Sequence, residues 1–120
     1  TGSTNYDWRS PKNDLLWQGN NSINNPCPTG FRIPTIEEWE EEINTWEENN
    51  ASGAILSVLK LPLAGKRDWG GFVSNEGTHG FYWSSSFDGN SSFSLFTINT
   101  HSQTNLYYRA NGYSVRCIKE

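Results

Sequence analysis

The chain has no methionine, no excess of basic charge and no apolar run near the roughly 20 residues that a membrane-spanning helix needs. No charged-then-apolar leader precedes TGSTNYDW, so the sequence reads as one processed or excised piece of a longer protein. Nine basic residues stand against 13 acidic ones, a net charge of −4, with no basic stripe to meet a phosphate backbone. Nucleic acid and membrane insertion are therefore excluded as expected partners. Only two cysteines and two histidines are present. No His or further Cys lies at metal-ligand spacing from Cys27 or Cys117, so the pair reads as a disulfide rather than a zinc site. Such a bridge implies an oxidising compartment; two buried free thiols are the alternative.

What the chain does have is aromatic. Six Trp, six Phe and five Tyr can hold a small core together, since each buries about 150–250 Å². Ser, Thr and Asn make up close to a third of the residues, which suits loops and a solvated sheet face. A length of 120 residues fits one domain, 1–120, and no internal repeat appears.

Residues 1–25 are polar and turn-rich, with Trp8 and Trp17 as expected anchors. Phe31 and Ile33 then alternate as in a short strand. Thr35 and Glu38 form a capping box ahead of Ile36, Trp39, Ile43 and Trp46, which predicts an amphipathic helix over residues 36–48. The acids Glu37, Glu38, Glu40, Glu41 and Glu42 crowd its first turns and read as a solvated face rather than a metal site, because consecutive helical residues point in different directions. Ser52 can cap a second, shorter helix carrying Ile55, Leu56 and Leu59 and ending before Pro62. After it the period becomes two. Residues 68–80 read as a loop, and 81–86 and 93–100 as strands. The apolar phase slips at Leu95–Phe96, which means a bulge or burial on both faces. Residues 105–108 lead into a hairpin turn at Asn111–Gly112, closed by a strand with Tyr113, Val115 and Cys117 alternating. The fold class is α+β with a mainly antiparallel sheet.

Four stretches in this order, NPCPTGFRIPTIEEWEE, LPLAGKRD, GFYWSSS and GYSVRCIK, resemble the C-type-lectin-like domains of the Fibrobacter major paralogous type, and the ligand-binding domains of bacterial RTX adhesins. The resemblance runs from about residue 7 to the C-terminus. It implies a C-type-lectin-like fold with two helices, a small twisted sheet and long loops that carry a site. It also implies display on a bacterial cell surface, as a monomeric domain within a long adhesin, and calcium-assisted binding of a peptide or glycan on a host or algal cell. The Glu-Pro-Asn and Gln-Pro-Asp triplets of sugar-binding animal lectins are absent, and Ser84-Ser85 follows Trp83 where those lectins have Asn-Asp.

Calcium takes six to eight oxygens in a flexible geometry that loops supply. Two segments offer them: Asp68 with Asn75 and Glu76, and Asp88 with Asn90. If Phe81 and Trp83 enter the core, Ser84 and Ser86 fall at the floor of an exposed site. Asn99, His101, Gln103, Asn105, Tyr107 and Arg109 alternate along the late strands and form the expected ligand surface, a Tyr- and Asn-rich set of the kind that gives contact area at low entropic cost. His79 and His101 have no companion nucleophile, and the serine run lacks the nucleophile-elbow glycines, so catalysis is not expected. Two other classes fit the same residues: a retroelement-diversified display protein without metal, and a non-binding module of a secreted enzyme.

Overall fold

A computed structural model describes residues 7–19 and 21–120. The order is β1 (Phe31–Arg32), α1 (Ile36–Asn44), α2 (Ala51–Leu56), β2 (Lys66–Arg67), β3 (Val73–Ser74), β4 (Gly80–Asp88), β5 (Ser91–Thr97), β6 (Ser102–Tyr108) and β7 (Ile118–Lys119). It is a small α+β domain with antiparallel sheets: a three-stranded sheet β4-β5-β6 and two ribbons, β1-β7 and β2-β3.

The capping box forms as the sequence predicts. Thr35 Oγ1 accepts from the Glu38 amide at 3.3 Å while Glu38 Oε1 accepts from the Thr35 amide at 2.8 Å. Arg32 adds two hydrogen bonds to the Glu38 carboxylate, at 2.6 and 2.8 Å. The helix ends at Asn44, four residues short of the predicted end. Its last turn holds no basic side chain, and the glutamates at 41, 42, 47 and 48 sit at the negative end of the helix dipole. Ile36 and Trp39 are buried against the inner face of the sheet, with Ala54, Leu61, Tyr82 and Leu95. Ile43, Trp46, Leu59 and Phe93 pack around them. Burying each of the larger of these side chains stabilises the fold by roughly 1.5–3 kcal/mol. The polar ends within this core are bonded: Trp39 Nε1 donates to the Trp83 carbonyl at 3.2 Å and Tyr82 Oη to the Pro62 carbonyl at 2.5 Å.

Several expectations need correction. The cap of α2 is Asn50, not Ser52, and the face turned inward carries Ala51, Gly53 and Ala54, leaving Ile55 and Leu56 exposed. A side chain at Gly53 would collide with the Glu48 carbonyl, so the helix packs by close approach rather than by large residues. Residues 68–80 are not simply a loop, since β2 and β3 pair around a tight turn at 68–72. β5 runs without a bulge through Leu95 and Phe96, and both of its faces are covered in part; the irregularity lies in β4, between Trp83 and Phe87. Of the two expected anchors, Trp8 is exposed and Trp17 is half-buried, while Leu16 and Asp7 are the buried residues of the N-terminal segment.

The Asn111–Gly112 turn does not return the chain onto β6. The segment crosses to the other edge of the sheet, where Gly112 bridges Arg67 and Ser114 bridges Tyr82. The expected closing strand shrinks to that contact. The chain then reaches Cys117, whose disulfide with Cys27 spans 90 residues, and β7 pairs with β1 beside it.

Candidate functional site

The β4-β5-β6 register sorts the side chains. Tyr82, Leu95 and Thr104 share the α1 side, where Thr104 Oγ1 donates to Glu40 at 3.1 Å. Phe81 and Trp83, Ser94 and Phe96, and Gln103, Asn105 and Tyr107 therefore share the outer face. On that face Tyr113 stacks over Phe81 at 4.7 Å and Trp83 at 4.4 Å, while Tyr107 meets it edge-on at 5.6 Å. Phe96 lies 5.3 Å from Phe81 and is flanked by His79 at 5.6 Å and His101 at 5.9 Å. Lys66 Nζ sits 5.3 Å from the Phe81 ring centre. Phe81 and Trp83 are buried beneath, whereas Phe96, Tyr107 and Tyr113 stay half-buried and Gln103, Asn105 and His101 are exposed. Burial pushes the Tyr107 and Tyr113 hydroxyls above the ordinary tyrosine range, so both remain protonated donors at neutral pH.

The expected ligand residues divide. Gln103, Asn105 and Tyr107 come together on the open face, and His101 stands at its margin. Asn99 is exposed in the β5–β6 turn. Ser84 and Ser86 do not form the floor of a loop site. Ser84 Oγ donates to the Phe93 carbonyl at 2.8 Å and accepts from the Ser86 amide at 3.2 Å. Ser86 Oγ accepts from the Ile36 amide at 3.0 Å, so these hydroxyls hold the β4 irregularity and the first turn of α1. Arg109 turns under the segment 7–18. Its guanidinium donates to Asp14 at 2.5 Å, lies 3.6 Å from Asp7, and reaches the carbonyls of Gly89 at 3.3 Å and Ser91 at 3.4 Å. For Asp14, burial works to raise the carboxyl, yet the hydrogen bonds from Arg109 and Lys12 prevail and hold it below its ordinary value. No local sequence pattern marks Asp7 or Asp14, because their partner is about a hundred residues away.

The calcium candidates do not gather in one place. Asn75 accepts from the His79 amide at the start of β4, at 3.0 Å, and Asp88 ends the same strand, on the order of 25 Å further on. Asp68 Oδ1 accepts from the Gly70 and Phe72 amides at 2.9 and 3.0 Å and shapes the β2–β3 turn. Asn75 Oδ1 accepts from Ser74 Oγ at 3.2 Å, and Glu76 is exposed beside it. Asp88 and Asn90 are exposed around Gly89, whose carbonyl also accepts from Lys12 Nζ at 2.8 Å. Among the described residues no three acidic, His or Cys side chains cluster to hold a metal ion. No helix among them is long and apolar enough to cross a membrane.

Comparison with protein-family models, with curated proteins and with solved structures finds no match to this chain.

Proposed function

We propose that this is an extracellular recognition domain of the C-type-lectin-like class, displayed on a bacterial surface, that binds a peptide or glycan across the outer face of β4-β5-β6. The observation that carries the reading is the half-open layer of Phe96, Tyr107 and Tyr113, rimmed by exposed Gln103, Asn105 and His101. Flat rings supply apolar contact at low entropic cost, and the amides supply hydrogen bonds that fix orientation. The disulfide favours an oxidising compartment, which agrees with secretion. Calcium belongs to the proposal only at Asp88–Asn90, where it would compete with Lys12 and Arg109 for the Gly89 carbonyl. Peptide and glycan arrays followed by isothermal titration, with and without EGTA, test the reading. A folded protein that binds nothing on either array overturns it in favour of a structural module.

A further inference from the structure

The segment 7–18 lies over the far end of the same sheet face and leaves a half-open cleft of about 60 Å³. That volume holds on the order of four waters. Six of its lining residues decide its chemistry: Asp7, Trp8, Arg9, Asp14, Phe87 and Arg109. The side chains of Asp7 and Arg109 are 3% and 8% exposed, yet among the described residues Asp7 Oδ2, Arg109 Nε and Arg9 Nε find no hydrogen-bond partner. Asp7 Oδ2 has the Arg109 charge 3.6 Å away but no hydrogen bond, and buried polar atoms left without one carry a desolvation penalty until water or a ligand meets them.

The charges select the ligand. Among the lining residues Asp7 and Asp14 balance Arg9 and Arg109, and the Arg109 guanidinium already faces both carboxylates; Lys12, outside the lining, pairs with Asp14. An incoming carboxylate would meet Asp7 and Asp14 at close range, and an incoming cation would meet Arg9 and Arg109. A neutral group that both donates and accepts suits the unmatched atoms, and a hydroxyl does both. Trp8 is 53% exposed and Phe87 40%, so flat apolar rings stand at the mouth, where the C–H face of a sugar ring can stack.

We infer that this cleft is a subsite for one neutral sugar residue, with Asp7 and the arginines on its hydroxyls and Trp8 and Phe87 against its ring. The inference rests on the recognition reading above and narrows its ligand to a neutral glycan, because Trp83, Phe87, Ser92 and Arg109 continue the face that carries Tyr107 and Asn105.

The test titrates neutral glycans, acidic glycans and peptides into the wild type, Trp8→Ala, Asp7→Asn and Asn105→Ala, with thermal melting as the control for folding. Neutral glycans are expected to bind, and Trp8→Ala and Asp7→Asn to weaken them at least tenfold. Trp8 is exposed, so its variant keeps the wild-type melting temperature. If Asp7→Asn does not fold, Trp8→Ala and the shift of the Trp8 and Trp17 indole N–H resonances on adding glycan carry the result. Neutral-glycan binding that Asn105→Ala abolishes and Trp8→Ala leaves intact overturns the subsite but keeps the recognition face. A preference for acidic glycans or for peptides also overturns it and leaves the broader reading standing. Silence on every ligand overturns both.

Discussion

Trp83 and Tyr113 stack with ring centres 4.4 Å apart, and through this contact the segment that leaves β6 is fastened to the opposite edge of the sheet. Tyr113 is thus both a floor tile of the outer sheet face and the clasp of the crossing. Tyr113→Ala is expected to cost about 2–4 kcal/mol, from lost ring burial and stacking. Tyr113→Phe, which loses only the 3.1 Å bond from Asn111 Nδ2, should cost about 1 kcal/mol. Urea denaturation of the two variants separates packing from the hydroxyl. Equal losses would place the clasp elsewhere.

Glu38 gives the fold a pH dependence. Hydrogen bonds from Arg32, opposed by burial and helped by the Thr35 amide, pull its carboxyl from 4.5 to about 2. A carboxyl lowered on folding stabilises fully above its unfolded value. Its contribution is therefore intact above about pH 4.5 and is lost as the pH falls toward about 2. Because the pair is partly solvated, Glu38→Gln should cost only about 1–2 kcal/mol at pH 7 and flatten stability between pH 4.5 and 2. Denaturation curves at pH 7 and pH 3 check this. Parallel losses at the two pH values would mean that the pair contributes no linkage.

The Cys27–Cys117 bridge closes a separation of 90 residues, and loop-closure entropy assigns it about 4–5 kcal/mol. That is a large share of the roughly 5–15 kcal/mol typical of a domain. Melting with and without a phosphine reductant should show a fall of many degrees, with thiol titration finding two groups only after reduction. An unchanged melting temperature with both thiols reactive would remove the bridge from the stability argument.

Calcium at Asp88–Asn90 is expected to bind weakly, at about 10⁻⁴–10⁻³ M, and to raise the melting temperature. Asp88→Asn should abolish the effect. Lys12→Ala should enhance it, because it frees the Gly89 carbonyl from a competing cation. Absence of any shift in Lys12→Ala at millimolar calcium sinks the metal part of the proposal.

On the face proposed to bind ligand, Asn105→Ala and Tyr107→Ala should each weaken binding about tenfold, near 1.4 kcal/mol. Ser84→Ala should instead lower stability, its hydroxyl being bonded inside β4. A ligand that ignores both face variants would move the site.

What could be read from the sequence was what local chemistry decides. Thr35, Glu38, Ile36 and Trp39 sit within one helical turn of each other, so the cap and the buried stripe follow from spacing alone. The alternation of Gln103, Asn105 and Tyr107 survives for the same reason, as strand period. Ser85 and Ser86 could not be read, because their partners at Pro34 and Ile36 are about fifty residues away; with Ser84 bonded to the Phe93 carbonyl on β5, the polar run becomes an internal fastening. Asn111–Gly112 carried a true turn signal, but the chain beyond it crosses to β4, where the Tyr113 ring stacks on Phe81 and Trp83, a contact no local pattern announces. Asp7 and Asp14 are drawn together by Arg109, about a hundred residues away.

The bridge from Ser114 to Tyr82 turns β4 from a border strand into an interior one, with Trp83 donating its amide to Ser114 at 3.0 Å on the flank that β5 leaves open. In deuterated water the amides around Trp83 should thus be the slowest in the molecule to trade their protons, and those of β6 should trade first among the sheet strands.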